Sequence, residues 1–178
     1  RTMKKYWFIL LICISCQPTT TSKKLEAACN LIKADAWIHI QKQAFTLSLM
    51  KGDSVCQTFP IVLGGDPIED KRREGDKRTP EGTFAIRDLY PHAKWTYFIW
   101  IDYPTTASWV KHQVAKQKGE IPQDAKIGGE IGIHGVPVGT DFMIDQGINW
   151  TLGCVSLKNE DIKTVYAFAQ KGMKVVIE

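Results

Sequence analysis

Hydrophobic and polar positions alternate through residues 38–40, 45–49 and 55–62. A period of two is typical of strands that bury one face, because successive side chains of a strand point to opposite sides. The polar stretches at 41–43 and 51–53 are short enough to be turns between neighbouring strands. The pattern therefore predicts a hairpin-rich, antiparallel β core rather than strands separated by helices.

A long polar segment and further strands follow this core. Residues 64–86 are rich in glycine, proline and charge, which predicts a long surface loop that leads into a strand at 83–86. Apolar runs at 95–101, 131–134 and 173–177 predict three more strands.

Two segments repeat apolar residues at helical spacing. The first begins after Thr105 or Thr106 as an N-cap and ends at Gly119, and the second is capped by Asn159. His112 is predicted at the surface of the first helix. The apolar residues predicted on the inward faces are Trp109, Val110, Val114, Ile162, Val165, Tyr166 and Ala169. These helices beside the strands predict a mainly β protein with a few helices, of the α+β class.

The first 16 residues have the composition of an export signal. Lys4 and Lys5 precede an apolar run at 6–14, and Ser15 stands directly before Cys16. A small residue before a cysteine resembles a lipoprotein signal, in which that cysteine is lipidated and becomes the mature N-terminus. Cys16 is therefore the predicted lipidation site, and ordinary signal cleavage nearby is the alternative.

This signal divides the chain into three parts. We predict a signal peptide of lipoprotein type at 1–16, a tether and N-terminal segment at 17–35, and one folded domain at 36–178. A chain of 178 residues that is 44% hydrophobic can bury one substantial core. The signal predicts export to the periplasm or cell envelope, with attachment to the membrane through a lipid anchor.

Charge limits the class of partner. The formal net charge is +4, and three of the positive charges lie in the predicted signal. The one dense basic cluster, at 71–78, is interrupted by Glu74 and Asp76. A nucleic-acid-binding domain usually carries a basic face across its surface, so the sequence predicts a solvated loop and no nucleic-acid partner.

The five cysteines fall into two groups. Cys13 and Cys16 belong to the signal, which leaves Cys29, Cys56 and Cys154. In an oxidising compartment Cys29 can pair with Cys56, and Cys154 is the predicted free thiol. No Cys-x-x-Cys follows the signal, which disfavours a thiol-redox protein. No spacing of Cys, His and carboxylates is typical of a metal site, so we predict neither a metal nor a cofactor.

Two short motifs, IHG at 133–135 and TLGC at 151–154, each carry one half of a cysteine–histidine pair. A thiol is weakly ionised at neutral pH, so a Cys154 nucleophile needs an imidazole that takes its proton and returns it to the leaving amine. His134 is the predicted base. Cysteine and histidine also occur as ordinary buried residues, so the pair alone is weak evidence.

Neighbouring groups complete the predicted site. The amides of Gly153 and Cys154 are candidates to bind the oxyanion of a tetrahedral intermediate, and Gly153 lets the backbone approach a substrate closely. A carbonyl near Gly135, or the hydroxyl of Thr151, is predicted to hold the second ring nitrogen of His134 and fix its tautomer.

Two aromatic residues and one loop are weaker candidates. Trp150, which precedes the nucleophile motif, and Tyr103 can line a sugar- or peptide-binding groove, although packing is the default role of an aromatic side chain. Residues 79–82 are explained by turn geometry, and Asp76 is predicted to order their loop by pairing with Arg78.

Four motifs occur in a fixed order: LGG at 63–65, GDKRTPEGTF at 75–84, GGEIGIHG at 128–135 and TLGCVSLKNEDI at 151–162. This order resembles the L,D-transpeptidase (YkuD-type) catalytic domain family over roughly residues 36–177. The resemblance implies the fold of that family, with an antiparallel sandwich- or barrel-like β core.

The resemblance also implies roles for single residues. The family pattern at the nucleophile is Ser or Thr, any residue, Gly and Cys, which Thr151, Gly153 and Cys154 match, and His134 stands where the family has its base. The position two after the nucleophile is commonly Arg in the family and is Ser156 here, as in a sub-branch that lacks this Arg. Ser156 is kept as a weaker candidate for substrate contact.

The reaction implied by the resemblance begins on a peptidoglycan tetrapeptide stem. Cys154 would attack the carbonyl between the diamino acid and the terminal D-alanine, release D-alanine and hold a thioester. Transfer to an amine on a second stem or an envelope protein gives an L,D-transpeptidase that cross-links or remodels the wall. The alternatives are an L,D-carboxypeptidase or amidase on the same scaffold and a non-catalytic envelope-binding module.

Overall fold

The computed structural model describes residues 35–178. In this part of the chain, strands predominate and helices interrupt them. The elements are β1 (Ala36–Gln41), β2 (Thr46–Lys51), β3 (Ser54–Pro60), β4 (Gly82–His92), β5 (Thr96–Ile101), α1 (Thr106–Gln117), β6 (Gly132–Gly135), α2 (Phe142–Asp145), β7 (Val155–Leu157), α3 (Asn159–Phe168) and β8 (Lys174–Ile177). The expectation of a mainly β protein with a few helices is confirmed.

The strands form one open, mixed sheet in the order β3-β2-β1-β8-β4-β5-β6-β7. Most neighbours are antiparallel, as the hairpin pattern predicts. β1 with β8 and β6 with β7 are parallel, which departs from the antiparallel core expected from the sequence. For β6 and β7 the physical reason is connectivity, because the segment between them is a helix-containing crossover that returns the chain in the same direction. β1 and β8 come from opposite ends of the described residues and are not joined by a single connection.

β4 is the strand that joins the two halves of the sheet. Residues 82–85 pair with β8, and the remainder of β4 pairs with β5 after a shift of register between Ile86 and Asp88. Such an irregularity bends a strand and increases its twist. The two edges of the sheet meet at Val62, whose N–H donates to the carbonyl of Ser156 at 2.9 Å. The sheet thereby curves around its core.

The core between these elements is aliphatic. Its most completely buried members come from strands of both halves, from α3 and from the segment after β3, and each is 0% exposed: Ile38, Ile40, Leu47, Leu63, Ile99, Leu157, Ile162, Val165 and Val175. Burial of that apolar surface is the main force that holds the curved sheet together. The alternation along residues 38–49 therefore identified core positions correctly.

Helix α1 packs with a polar face inward, which contradicts the predicted orientation. Thr105 is its N-cap as expected, but Trp109 is 46% exposed, while His112 is 1% exposed. The ring Nδ1 of His112 donates to the carbonyl of Arg72 at 2.6 Å, and Lys111 pairs with Asp70 at 2.7 Å. The helix thus covers a charged loop rather than an apolar sheet, and its exposed apolar face includes Val110 and Val114.

Helix α3 follows the prediction more closely. Ile162 and Val165 are buried, and Tyr166 stacks on Tyr97 with ring centroids 4.0 Å apart. The N-cap is Lys158 rather than Asn159, so the cap was predicted one residue too far along the chain. β7, only three residues long and buried throughout, was not predicted, because three buried residues carry no alternation.

The cysteines divide as the sequence suggests within the described residues. Cys56 is disulfide-bonded, and Cys154 is the free cysteine of this part of the chain. The predicted signal, tether, lipidation site Cys16 and partner cysteine Cys29 lie outside the described residues. No helix in residues 35–178 has the length and apolar character needed to cross a bilayer.

Candidate active site

The turn before β7 carries Cys154 and is held by one threonine. The Thr151 hydroxyl accepts the N–H of Gly153 at 3.1 Å and donates to the carbonyl of Cys154 at 2.7 Å. Gly153 has φ +137°, and a side chain there would place Cβ 2.6 Å from the carbonyl oxygen of Arg78. Only glycine fits this turn, so the backbone at the nucleophile is fixed by its neighbours.

Two predicted roles need correction in this turn. The N–H of Gly153 donates to the Thr151 hydroxyl, so it is not available as an oxyanion donor, and Gly153 packs closely against the Arg78 carbonyl. The hydroxyl of Thr151 is fully engaged within the turn and does not orient His134. The hydrogen bonds of Thr151 hold the turn that carries Cys154 rather than the ring of His134.

His134 lies on β6 and is 2% exposed. Its Nδ1 is 2.8 Å from the carbonyl oxygen of Gly135. A carbonyl only accepts, so Nδ1 carries the proton and Nε2 keeps its lone pair. Burial lowers the pKa of His134 to about 4, the Gly135 hydrogen bond opposes this effect, and nearby His92 adds to it. At neutral pH the ring is an uncharged base in a defined tautomer.

The sheet brings the base and the nucleophile to one cavity. β6 and β7 are parallel, with His134 opposite Ser156, and Cys154 is the residue directly before β7. Both side chains line a cavity of about 770 Å³. Its other lining residues are Lys71, Glu74, Gly75, Trp95, Gly128, Gly129, Glu130, Ile131, Trp150, Thr151 and Leu152.

The thiol of Cys154 is half-buried, and its hydrogen-bond partner is a backbone carbonyl. Its Sγ donates to the carbonyl of Glu130 at 3.6 Å, rather than to His134. Burial raises the pKa of Cys154 to about 11, and the Glu130 charge contributes, although a backbone hydrogen bond from Gly132 and the charge of Lys71 oppose the rise. The resting pair is therefore a neutral thiol and a neutral imidazole, not an ion pair.

One wall of the cavity is a charged loop, residues 65–81, which we call the polar loop. Lys71 is 5% exposed and its Nζ contacts Asp76 Oδ1 at 2.8 Å. Asp76 also accepts the backbone N–H groups of Arg72 and Arg73. Burial by itself would raise the pKa of Asp76, but these hydrogen bonds outweigh it and the pKa is lowered. The loop is a fixed wall.

Two further contacts in the polar loop differ from expectation. Arg78 reaches Asp76 only through its backbone N–H, at 3.1 Å, and its guanidinium pairs with Asp66 at 2.8 Å. Lys42, 3% exposed, donates to the carbonyls of Glu69 and Thr79 and to the carboxylate of Glu81. A loop predicted to be solvated is instead held by buried charges that have partners.

The opposite wall is aromatic. Trp95 stacks on His134 with ring centroids 4.5 Å apart, and Phe98 lies 5.9 Å from His134 in a nearly parallel plane. Trp150 meets the same ring edge-on at 5.7 Å and lines the cavity. A contact between Trp150 and a bound substrate stays a prediction, and this position makes it geometrically feasible.

The structure places two other predicted substrate contacts away from the cavity. Tyr103 is 4% exposed within the hydrophobic core, and its hydroxyl donates to the carbonyl of Ile127 at 3.3 Å. Burial raises the pKa of Tyr103. Ser156 is 0% exposed beneath the site. Neither side chain is available to a bound molecule, because packing encloses both.

Three residues of the site were not singled out from the sequence: Lys71, Trp95 and Glu130. Glu130 sits inside the GGEIGIHG motif, and its φ of +56° brings its carbonyl to the thiol, so the motif held a signal that was available. Lys71 belongs to the cluster that was predicted to be solvated. Trp95 lies in the turn between β4 and β5, far along the sequence from both chemical motifs, and no local sequence pattern predicts its place in the site.

Comparison with known families gives one match over most of the chain. The family model of the L,D-transpeptidase catalytic domain matches residues 35–177. This range contains the cavity, both chemical motifs and every strand of the sheet. No curated protein matches the sequence.

Solved structures support the same fold at low sequence identity. The helical cell shape determining protein Pgp2 from Campylobacter jejuni superposes with a TM-score of 0.58 at 18% identity, covering 88% of this chain and 55% of its own. Bd1075 from Bdellovibrio bacteriovorus gives 0.57 at 17% identity, covering 83% and 50%. The catalytic domain of the Enterococcus faecium L,D-transpeptidase gives 0.53 at 15% identity, covering 81% and 97%. The chain spans about half the length of the first two relatives.

Proposed function

The chain belongs to the L,D-transpeptidase catalytic domain family, and from this premise we propose that it is a cysteine-dependent peptidoglycan L,D-transpeptidase that works through a thioester on Cys154. The observation that carries the proposal is the pairing of a free thiol with a neutral imidazole of defined tautomer in one cavity. A base and a nucleophile in contact with the same space are what acyl transfer requires.

The first half of the proposed reaction forms the thioester. The thiol turns from the carbonyl of Glu130 toward Nε2 of His134, which takes its proton as sulfur attacks the carbonyl between the diamino acid and D-alanine. In this proposal the N–H of Cys154 binds the oxyanion. The C–N bond then breaks, His134 returns the proton to the leaving amine, and D-alanine departs.

The second half decides between transfer and hydrolysis. An acceptor amine that attacks the thioester gives a new amide and regenerates the thiol, whereas water gives a free carboxylate. His134 serves as base for either nucleophile. Transfer is favoured when the acceptor amine occupies the cavity and displaces water. We take transfer as the main activity, with an L,D-carboxypeptidase or amidase reaction as the competing outcome.

The place of this reaction is also part of the proposal. The export signal at 1–16 and lipidation of Cys16 would hold residues 36–178 at the cell envelope, next to peptidoglycan. Partners would then be stem peptides and an amine on a second stem or an envelope protein. Support for these partners comes from family membership, together with the signal in the sequence.

Intact-mass spectrometry of the purified protein with a disaccharide-tetrapeptide tests the proposal. The wild type is expected to release D-alanine and gain the mass of the shortened donor, and Cys154→Ala to do neither while keeping its fold. Added acceptor stem then separates the outcomes, because a cross-linked dimer indicates transfer and a free tripeptide indicates hydrolysis. D-alanine release that survives in Cys154→Ala would overturn a Cys154 thioester, and the absence of any adduct with wild type would favour a binding module.

A further inference from the structure

Three aromatic rings form a continuous stack beside the cavity. His92 and Trp95 have ring centroids 4.4 Å apart with an interplanar angle of 12°, and Trp95 and His134 are 4.5 Å apart at 24°. Two rings at such distances from one indole must occupy its opposite faces. The indole of Trp95 is therefore enclosed between an outer histidine and the candidate base.

The main chain of Trp95 holds the strand that carries the base. Its carbonyl accepts the N–H of Gly135 at 3.0 Å. A Cβ at position 135 would lie 2.8 Å from that carbonyl oxygen, so glycine is required for the contact. Gly135 is the residue whose own carbonyl accepts Nδ1–H of His134. Trp95 thus contacts His134 through its side chain, and it contacts Gly135, the hydrogen-bond partner of His134, through its backbone carbonyl.

The turn that contains Trp95 is itself anchored to α3. The next residue, Thr96, has φ +62°, and its hydroxyl donates to the side-chain oxygen of Asn159. Asn159 in turn donates its backbone N–H to Asp141 at 2.8 Å. A hairpin turn is ordinarily a mobile part of a sheet. Here its contacts give it a fixed position against β6.

We propose that Trp95 is the positioning residue of the general base, with its indole as the wall that fixes the plane of the His134 ring. One hydrogen bond at Nδ1 sets the tautomer but does not fix the tilt of the imidazole about that bond. Of the aromatic rings around the imidazole, the indole of Trp95 is the nearest, with centroids 4.5 Å apart against 5.7 Å for Trp150 and 5.9 Å for Phe98, so it limits this tilt most. This inference rests on the proposed function, since it assigns Trp95 a role only if His134 is the base.

The surroundings of the imidazole explain what a loss of the wall would do. The titratable groups that share the cavity with His134 are Lys71, Glu74, Glu130 and Cys154, and His92 lies beyond the indole. Burial is the first cause of the lowered pKa of His134. Removing the indole admits water to one face of the ring, and hydration favours the protonated form.

Three variants separate positioning from general structure. Trp95→Leu removes the planar wall, Trp95→Phe keeps an aromatic wall, and Trp37→Leu is the matched control. Trp37 also contacts a histidine, His39, with ring centroids 5.3 Å apart, but it lies on β1 outside the cavity. Should Trp95→Leu fail to fold, Trp95→Met takes its place, because it fills volume without a planar ring.

The first readout needs no substrate. The four histidine Cε1–H signals are titrated by NMR, and His134 is assigned by its loss in His134→Gln. Trp95→Leu is expected to raise the His134 pKa from about 4 toward its ordinary 6.5, while Trp95→Phe and Trp37→Leu leave it in place. The His134 pKa tests the contact with Trp95 even if the protein has no activity on stem peptides. A negative result for the role of Trp95 can therefore be distinguished from a negative result for the proposed function.

The second readout is turnover of the disaccharide-tetrapeptide. Trp95→Leu is expected to lower kcat about 100-fold, the scale of a misplaced catalytic group, with a much smaller change in KM. Trp95→Phe should recover most of kcat, and Trp37→Leu should match the wild type. The proposal is overturned if Trp95→Leu keeps both the wild-type pKa and kcat, or if Trp95→Phe falls as far as Trp95→Leu.

Discussion

The two walls of the cavity are built from different forces. The polar loop holds its shape through buried charges, with Lys71 and Asp76 less than a tenth exposed and their partners within the loop. The aromatic wall holds its shape through Trp95, which stacks on His134, and Trp150, which meets the same ring edge-on. The charged wall is strong only while every charge keeps its partner, whereas the aromatic wall depends on shape and size. A different kind of substitution is therefore expected to disrupt each wall: loss of a charge partner in the polar loop, and loss of a ring in the aromatic wall.

The largest effect is expected where the charged wall loses its central carboxylate. Asp76→Ala removes the carboxylate partner of the Lys71 ammonium and the acceptor of three backbone N–H groups in a buried place. Removing one partner of a buried pair typically costs about 3–5 kcal/mol of unfolding free energy. Urea unfolding measures the loss. The control is Glu120→Ala, which breaks an exposed pair with Lys118 and should change little. Equal losses in both variants would contradict the distinction.

The second-largest effect is expected in the aromatic wall, where acid protonates His134 and lowers the free energy of unfolding. The folded pKa of His134, about 4, lies below its ordinary 6.5, so the unfolded chain takes up the proton first as pH falls. The stability gained by burying a neutral ring is complete above pH 6.5 and is lost as pH falls toward 4, by roughly 3 kcal/mol at 1.36 kcal/mol per pKa unit. Urea unfolding at pH 7 and pH 4 should show a smaller acid loss in His134→Gln than in wild type. Identical acid losses would rule out a buried neutral His134.

A smaller effect is expected where the two walls meet at the nucleophile turn. Gly153→Ala forces a side chain against the Arg78 carbonyl at φ +137°, and strain of this kind costs on the order of 1–3 kcal/mol. Turnover should fall with stability, since Cys154 is displaced. Gly129→Ala is the control, because it lies in the same cavity with nothing within 4 Å of the added atom. A tolerated Gly153→Ala would show that the turn can yield.

The smallest effect is expected outside both walls. Trp109 projects from α1 and is 46% exposed, so Trp109→Gln should change the unfolding free energy by no more than about 0.5 kcal/mol. Thermal unfolding measured beside wild type checks this. A loss of several degrees would mean that the apolar face of α1 is covered in solution.

The same contrast explains what could be foreseen from the sequence. The strands in residues 38–49 could be predicted because alternation reports burial directly. The pair of Cys154 and His134 could be predicted because four motifs stand in the order that resembles the family, whereas the two residues alone were weak evidence. The face of α1 was predicted wrongly because it packs on charges, and a hydrophobic pattern cannot locate a polar partner. Trp95 reaches His134 only through the register of β5 with β6, a long-range fact that no short window contains.

The protonated state of Cys154 has a consequence for the lifetime of the protein. Oxidants attack the thiolate far more readily than the thiol, and a pKa of about 11 keeps the thiolate scarce at neutral pH. We therefore expect slow conversion of the Cys154 thiol to sulfenic acid and slow exchange with foreign disulfides while no substrate is bound. In the proposed function, this would keep the nucleophile reduced until a donor arrives.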